Sequence, residues 1–240
     1  MLTPSSNTVL EPVTTGMLRQ LPEISVHFAR FTVTEISLAH QALSQFNEAP
    51  MLTAAQLLAD AKVDVIAWNG TSAGWLGFES DRALCRRIEA VTGIRAITSV
   101  LSLVEIMQAA AVTRLGLVTP YISAVQERIV ATFAAEGIEC VAERHFGVSG
   151  NFSFAEIGDA DIVEMIRDVA TARPQAITML CTNLAGAPLV EALERDLDIP
   201  ILDSVSAVVW KALQVTGIDP SRVTGWGRLF GDRTLADAMA

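Results

Sequence analysis

The sequence contains an internal repeat, in which three segments of the first half return in the same order in the second half. The matched pairs are Leu2–Asn7 with Val118–Ser123, the apolar run ending at Trp68 with the run ending at Leu180, and Ile94–Val100 with Ile199–Val205. Two similar halves that face each other would enclose one cleft with matched positions on opposite walls. Just after the matched apolar runs, the second half has Cys181 where the first half has Gly70. This asymmetry is the strongest indication of function in the sequence.

Short apolar runs alternate with stretches of helical spacing along the chain. We predict strands at Ile24–Phe31, Val63–Trp68, Arg95–Thr98, Arg114–Thr119, Cys140–His145, Ala176–Cys181 and Ile199–Leu202. We predict helices at Asp81–Val91, Val100–Ala111, Ile122–Glu136, Asp159–Ala172 and Leu189–Leu197. Strands that alternate with helices of this length are typical of parallel sheets in an α/β fold. Because the runs are apolar on both faces, helices should cover both sides of each sheet.

The repeat and the α/β pattern together predict two similar lobes, each a parallel sheet flanked by helices, related by a pseudo-twofold axis with the active site between them. Residues 1–112 and 212–240 would form the first lobe and residues 113–211 the second. Ligands of such folds bind beyond the carboxyl ends of the strands, which is where the Gly70 and Cys181 turns lie. Few residues precede Pro4, so we expect an unusually short first strand or a native start upstream of Met1.

Composition limits the classes of function that this chain can have. Of its 240 residues, 51% are hydrophobic and only 18% are charged, which predicts a large core and argues against disorder. The net charge of −10 argues against a nucleic-acid surface, because phosphate binding needs clustered Lys and Arg. The apolar runs are too short for a membrane span of roughly 20 residues, and the sequence shows no signal-peptide pattern.

The cysteines fit neither a disulfide framework nor a metal site. Cys85, Cys140 and Cys181 lack the spacing of either, and the three histidines His27, His40 and His145 show no metal-ligand spacing. Reduced thiols and a cytoplasmic location are expected. No phosphate loop or Gly-rich dinucleotide motif follows a strand, so a nucleotide cofactor is not indicated.

Cys181 is the first candidate for chemistry. It follows an apolar strand and precedes a predicted helix, and the partial positive charge of a helix N-terminus favours a thiolate. A cysteine in this position suits a nucleophile or a proton donor to a carbanion. The alternative is a buried structural cysteine, which is common for free Cys; the place of Cys181 in the repeat favours the functional interpretation.

The turn Gly70–Ser72 is the second candidate. A glycine followed by Thr71 and Ser72 offers backbone N–H groups and two hydroxyl donors, which can bind a carboxylate or stabilise an enediolate. The alternative is an ordinary helix N-cap, where Ser and Thr are preferred. Tyr121 is the one tyrosine of the chain and follows a strand-ending proline, so its phenol could also reach a substrate carboxylate.

These motifs resemble the aspartate/glutamate/hydantoin racemase superfamily over nearly the whole chain, and two of its branches fit. The opening Pro4–Thr8 resembles the maleate cis-trans isomerases, whose Asn at the position of Asn7 binds a substrate carboxylate. Asn151 falls where those enzymes have a second Asn, and Cys181–Asn183 is also similar to them. The resemblance implies substrate-binding roles for Asn7, Asn151 and Thr182; a turn role is the alternative for both asparagines.

Other motifs resemble the arylmalonate decarboxylases. Gly70–Ser72 is similar to theirs, whereas isomerases and racemases have a cysteine where Gly70 stands. Further similarity lies in Thr119, Tyr121, Glu127–Arg128 and Gly225–Phe230. The sequence departs from the decarboxylase pattern at Thr182, where those enzymes have Gly, and in its Ser-Ser-Asn opening. The chain is therefore a mosaic of the two patterns.

The absence of a cysteine at position 70 distinguishes between the reactions that these enzymes catalyse. Racemases need an acid and a base on opposite faces of one carbon, and maleate isomerases need two thiols, whereas one thiol suffices to protonate an enediolate once. The resemblance thus implies a decarboxylase of a substituted malonate or related small dicarboxylate that uses no metal and no organic cofactor. Thr71, Ser72 and Tyr121 would stabilise the enediolate and Cys181 would protonate it, with Trp75 and Leu76 forming an apolar pocket for the departing carboxylate.

Two other functions stay open at this point. One is an isomerase or racemase in which another group, such as Thr71 or Ser72, replaces the missing cysteine. The other is a non-catalytic carboxylate-binding protein. A cysteine introduced at Gly70 would restore two-sided chemistry if position 70 has room for it. The sequence leaves the substrate side group, the stereochemistry and a homo-oligomeric state open.

Overall fold

The computed structural model describes residues 1–39 and 48–231. The strands are β1 (Leu2–Pro4), β2 (Ala29–Phe31), β3 (Val65–Trp68), β4 (Arg95–Thr98), β5 (Arg114–Thr119), β6 (Glu139–His145), β7 (Ala176–Met179) and β8 (Ile201–Asp203). The α-helices are α1 (Leu10–Leu18), α2 (Glu48–Asp60), α3 (Ala73–Leu76), α4 (Phe78–Thr92), α5 (Ser99–Ala109), α6 (Ser123–Ala135), α7 (Asp159–Ala170), α8 (Val190–Leu197), α9 (Ser204–Val215) and α10 (Arg228–Gly231). Short 3-10 turns occur at Phe152–Glu156, Ala187–Leu189 and Pro220–Arg222.

The strands form two parallel four-stranded sheets with the same topology. Their orders are β2-β1-β3-β4 and β6-β5-β7-β8, so each strand of the first sheet has a counterpart four strands later. The repeated sequence segments coincide with three of these strand pairs: the first with β1 and β5, the second with β3 and β7, and the third with β4 and β8. The predicted fold of two similar parallel α/β lobes is therefore confirmed. The proposed lobe boundaries stay a prediction, and residues 40–47 and 232–240 of that assignment lie outside the described residues.

Burial explains why the central strands read as continuous apolar runs. Leu115, Leu117 and Val118 of β5 are completely buried, which requires cover on both faces of the sheet. Helix α7 supplies part of that cover through Ile162, Ile166 and other apolar residues at helical spacing.

Helix α9 is, with α1 and α2, one of the helices that the sequence prediction missed. Asp203, the last residue of β8, caps it by accepting hydrogen bonds from the N–H groups of Val205 (2.8 Å) and Ser206 (2.9 Å). The helix then packs against α5 and the strands β3 and β4 of the first sheet. It has buried residues on all sides, so its sequence lacks the polar face by which amphipathic helices are predicted.

The predicted strand at Ile24–Phe31 was too long. Only Ala29–Phe31 pairs, because its partner β1 is just Leu2–Pro4 and the register joins Leu2 to Ala29 and Pro4 to Phe31. In the given sequence β1 has three residues, which fits both alternatives for its start, and the length of β2 follows from that of its partner.

Candidate active site

Side chains from both lobes meet beyond the carboxyl ends of the strands. The Asn7 Nδ2 donates to Thr182 Oγ1 (3.1 Å), and Thr182 Oγ1 donates to the Asn69 carbonyl (2.9 Å). The amide oxygen of Asn183 accepts from the Thr8 N–H (2.9 Å). The loop after β1, the turn after β3 and the turn after β7 are thereby joined. The predicted meeting of the Gly70 and Cys181 turns agrees with these contacts.

Thr71, Tyr121 and Cys181 form one chain of contacts. The hydroxyls of Thr71 and Tyr121 are 2.6 Å apart and share a hydrogen bond. The Tyr121 hydroxyl is also within hydrogen-bonding reach of the Cys181 thiol. All three side chains are at most 4% exposed. Burial raises the pKa of Tyr121, so the phenol stays protonated and able to donate.

Cys181 is a protonated thiol at neutral pH. Burial raises its pKa to about 12, although the hydrogen bonds from Tyr121 and from the Asn183 N–H (3.3 Å to Sγ) favour the thiolate. The buried carboxyl of Asp203 raises the thiol pKa further. The expectation that a helix N-terminus would favour a thiolate is wrong: the α-helix that follows begins only at Val190, and desolvation dominates. A neutral S–H suits a proton donor better than a nucleophile.

Ser72 lies at the N-terminal end of α3, but it does not act as a side-chain cap. Its hydroxyl makes no hydrogen bond to the described residues, although the residue is only 5% exposed. The Thr71 hydroxyl is hydrogen-bonded to the Tyr121 hydroxyl and not to the backbone of the helix. The N-cap alternative therefore does not account for the two hydroxyl residues, and the Ser72 hydroxyl stays available as a donor among the described residues.

The asparagines predicted to bind carboxylates are buried and partly engaged. Asn7 Oδ1 accepts from the N–H groups of Val9 (3.0 Å) and Leu10 (2.9 Å), which fixes the amide at the start of α1. Asn151 Nδ2 donates to Ser6 Oγ (2.8 Å). Each NH₂ group has two hydrogens, so each amide keeps one further donor. Thr182 has given its single hydroxyl hydrogen to Asn69, and it would have to reorient to donate to a ligand.

An aromatic wall lies beside Tyr121. The Trp75 ring meets it edge-on at a centroid distance of 5.3 Å, and Phe154 does so at 5.4 Å. Trp75 is buried, as expected for a residue of an apolar pocket. Leu76 is 43% exposed, and its place in the pocket stays a prediction. Phe154, which the sequence prediction missed, takes the second place in this wall.

Gly70 is tightly covered by the side chain of Trp68. A β-carbon at Gly70 would lie 2.0 Å from Cζ2 and 2.4 Å from Cη2 of that indole, whereas real contacts of this kind exceed 3.0 Å. Position 70 therefore has no room for a cysteine while the indole keeps its place. Ser99 Oγ donates to the Gly70 carbonyl (2.7 Å) and fixes the turn from below.

Asn69 and Asn183 are further site residues that the prediction did not single out. Asn183 Nδ2 donates to the Asn151 carbonyl (2.5 Å), and its Oδ1 reaches the start of α1, so one side chain joins three segments. Asn69 is completely buried and its Oδ1 has no partner among the described residues. The sequence signal was present, since each lies within one of the two strand-end turns.

Comparison with known proteins identifies the family. The sequence model of the arylmalonate decarboxylase family matches residues 19–230. Arylmalonate decarboxylase of Bordetella bronchiseptica is 28% identical, over 70% of this chain and 71% of that protein. Maleate isomerase of Nocardia farcinica is 29% identical, over 95% of this chain and 93% of that protein. The crystal structure of the maleate isomerase from Pseudomonas putida S16 has the same fold, with a TM-score of 0.88 at 23% identity over 96% of each chain.

The match spans both lobes and includes Gly70, Tyr121 and Cys181. The names of these two relatives describe enzymes that act on small carboxylates, one a decarboxylase and the other an isomerase. Because the family model matches most of the length of this chain, the chain belongs to the arylmalonate decarboxylase family, within the aspartate/glutamate racemase superfamily.

Proposed function

We propose that this protein is a cofactor-independent decarboxylase of a substituted malonate or a related small dicarboxylate, in which Cys181 is the proton donor. The observation that carries the proposal is the single protonated thiol in contact with the Thr71–Tyr121 hydroxyl pair, with the covered Gly70 at the matching position of the other lobe. The relatives that are named decarboxylase and isomerase support an enzyme without distinguishing between the two reactions.

The first step would break the bond between the central carbon and one carboxylate. Its electron pair passes into the remaining carboxylate, which becomes an enediolate, and CO₂ leaves. The hydroxyls of Thr71 and Tyr121 lie 2.6 Å apart, and Ser72 follows Thr71 in the same turn. On substrate binding these hydroxyls would reorient and donate to the enediolate oxygens, where negative charge develops. The aromatic wall of Trp75 and Phe154 would offer the departing carboxylate little solvation, which disfavours the charged ground state.

The second step would transfer the proton of Cys181 to the carbon. The thiol is protonated because its pKa is about 12, and it becomes a thiolate as the acid product forms. A thiolate with so high a pKa regains a proton from water readily, which completes the cycle. The overall reaction exchanges one CO₂ for one proton and therefore needs no oxidant, reductant or cofactor.

Maleate isomerisation is the second candidate, and the asparagine network favours it. Asn7 contacts Thr182, and Asn183 contacts the backbone of Asn151, which supports an asparagine-lined carboxylate site of the kind that the resemblance to the isomerases implies. In that reaction Cys181 would have to add to the double bond as a thiolate, which its raised pKa opposes. A carboxylate-binding protein without catalysis is the third candidate, and it would keep the donors while making no use of the thiol.

Product analysis distinguishes the three functions. Wild-type protein is incubated separately with 2-methyl-2-phenylmalonate and with maleate, and the products are quantified by NMR. A decarboxylase releases CO₂ and forms 2-phenylpropionate in one enantiomer, with little fumarate from maleate. Efficient conversion of maleate to fumarate would replace the proposal with the isomerase. Binding of both compounds without turnover of either would support the binding protein. Cytoplasmic location and self-association stay predictions that this experiment does not address.

A further inference from the structure

Trp68 occupies an unusual place at the end of β3. Its ring is completely buried and packs against Phe31 at a centroid distance of 5.2 Å. Gly70 lies two residues beyond the end of β3, and a β-carbon on it would point into the Trp68 indole. The indole carbons Cζ2, Cη2 and Cε2 accordingly lie 2.0, 2.4 and 2.7 Å from where a β-carbon of residue 70 would stand.

The indole also has an unused hydrogen-bond donor. Trp68 Nε1 has no hydrogen-bond partner among the described residues, although the ring is 0% exposed. Buried polar groups are nearly always hydrogen-bonded, and an exception needs an explanation. Nε1 is bonded to Cε2, one of the three carbons that cover Gly70, so the N–H belongs to the part of the ring next to the Gly70–Ser72 turn.

We propose that Trp68 is a specificity-determining residue: its indole excludes a second proton-transferring side chain at position 70, and its N–H donates to a carboxylate oxygen of the bound dicarboxylate. The first part explains why the matched positions of the repeat differ, since Cys181 has room for its side chain and position 70 does not. The second part supplies the missing acceptor for the buried N–H. The proposal rests on the proposed function in one respect, namely that the ligand is a small dicarboxylate.

The consequence is a site in which only one wall can move a proton. With the indole over Gly70, the intermediate is protonated by Cys181 alone, and the product is not deprotonated again on the other face. One enantiomer is therefore formed and kept. Replacing Trp68 by a smaller residue would not create two-sided chemistry by itself, because a thiol at position 70 is also required.

Four proteins test the steric part: wild type, Gly70→Cys, Trp68→Leu and the double variant Trp68→Leu/Gly70→Cys. Thermal unfolding should show that Gly70→Cys lowers the Tm strongly in the wild-type background and much less in the Trp68→Leu background. Gly70→Ala gives the same comparison if Gly70→Cys does not fold. Equal Tm losses in both backgrounds would overturn the claim that the indole occupies this space.

Racemisation tests the chemical consequence. Each protein is given enantiopure 2-phenylpropionate, and the enantiomeric excess is followed by chiral chromatography. We expect racemisation in the double variant at least tenfold faster than in either single variant. Racemisation by Gly70→Cys alone at the rate of the double variant would refute the proposal. Because this assay starts from the product acid, it remains informative even if wild type decarboxylates nothing.

Indole NMR tests the N–H contact. The chain has four tryptophans, and the Nε1–H signal of Trp68 is assigned by its loss in Trp68→Phe. Addition of 2-methyl-2-phenylmalonate to Cys181→Ala protein, which should retain the compound, is expected to shift the Trp68 signal downfield while the signal of Trp210 in helix α9 stays in place. Binding of the compound without a shift of the Trp68 signal would contradict the hydrogen bond.

Discussion

Substitution of Thr71 by Val tests the hydroxyl pair on which the proposed chemistry depends. The change keeps the shape of the side chain and removes the oxygen that lies 2.6 Å from the Tyr121 hydroxyl. Loss of one donor to a developing oxyanion lowers kcat about 10²- to 10³-fold in other enzymes. The Tyr121 hydroxyl would also lose a buried partner, which costs about 1–3 kcal/mol of unfolding free energy. We expect both effects in Thr71→Val.

Thr178→Val is the matched control for this experiment. Thr178 is also buried, and its hydroxyl also makes one hydrogen bond, to the Leu202 carbonyl at 2.9 Å, but it lies within β7 and not in the strand-end turns. It should lose similar stability in urea unfolding and keep its kcat for 2-methyl-2-phenylmalonate. Equal kcat values for Thr71→Val and wild type, with stability lowered as in the control, would show that the Thr71 hydroxyl is structural only.

Two further predictions concern buried carboxyls. Asp203→Asn keeps an oxygen that can cap α9 but removes a charge that raises the pKa of Cys181. The pH profile for alkylation of Cys181 by iodoacetamide should therefore shift to lower pH, while the profile of Cys85 in the same protein serves as control. An unchanged profile for Cys181 would contradict the coupling between the two groups. Burial raises the pKa of Asp81 from 3.8 to about 7, so the folded state binds the proton more tightly and stability falls as pH rises between about 4 and 7, by about 1.4 kcal/mol per pH unit. Asp81→Asn should remove this component from urea unfolding measured across that range, and a pH dependence equal to that of wild type would refute it.

The α/β lobes could be predicted from the sequence because their signals are local. The strands β4 and β5 have the predicted bounds, since each is an apolar run closed by a turn or by a helix start. Helix α9 could not be predicted in this way, because it is buried on all sides and lacks a polar face. The length of β2 depends on its pairing with β1, which no local pattern contains.

The residues of the candidate site could be predicted from the sequence better than their protonation states and steric surroundings. The repeat pointed to Gly70 and Cys181, and the structure brings their turns together through Thr182 and Asn69. The raised pKa of Cys181 could not be predicted, because it depends on desolvation by residues distant in sequence. The packing of the Trp68 indole over Gly70 was also not predicted, because in the sequence Trp68 is an ordinary apolar strand residue and only the structure shows where its ring lies.

The kinetics of Cys181→Ala test the central claim most directly, namely that one thiol delivers the proton. Cys85→Ala and Cys140→Ala are matched controls, because burial also raises the pKa of both thiols to about 12, yet Cys85 lies in α4 and Cys140 on the edge strand β6. We expect Cys181→Ala to keep the circular-dichroism spectrum of wild type and to lose about 10²- to 10⁴-fold in kcat on 2-methyl-2-phenylmalonate, as for removal of a general acid. Both controls should keep their activity. Wild-type turnover by folded Cys181→Ala protein would contradict the account.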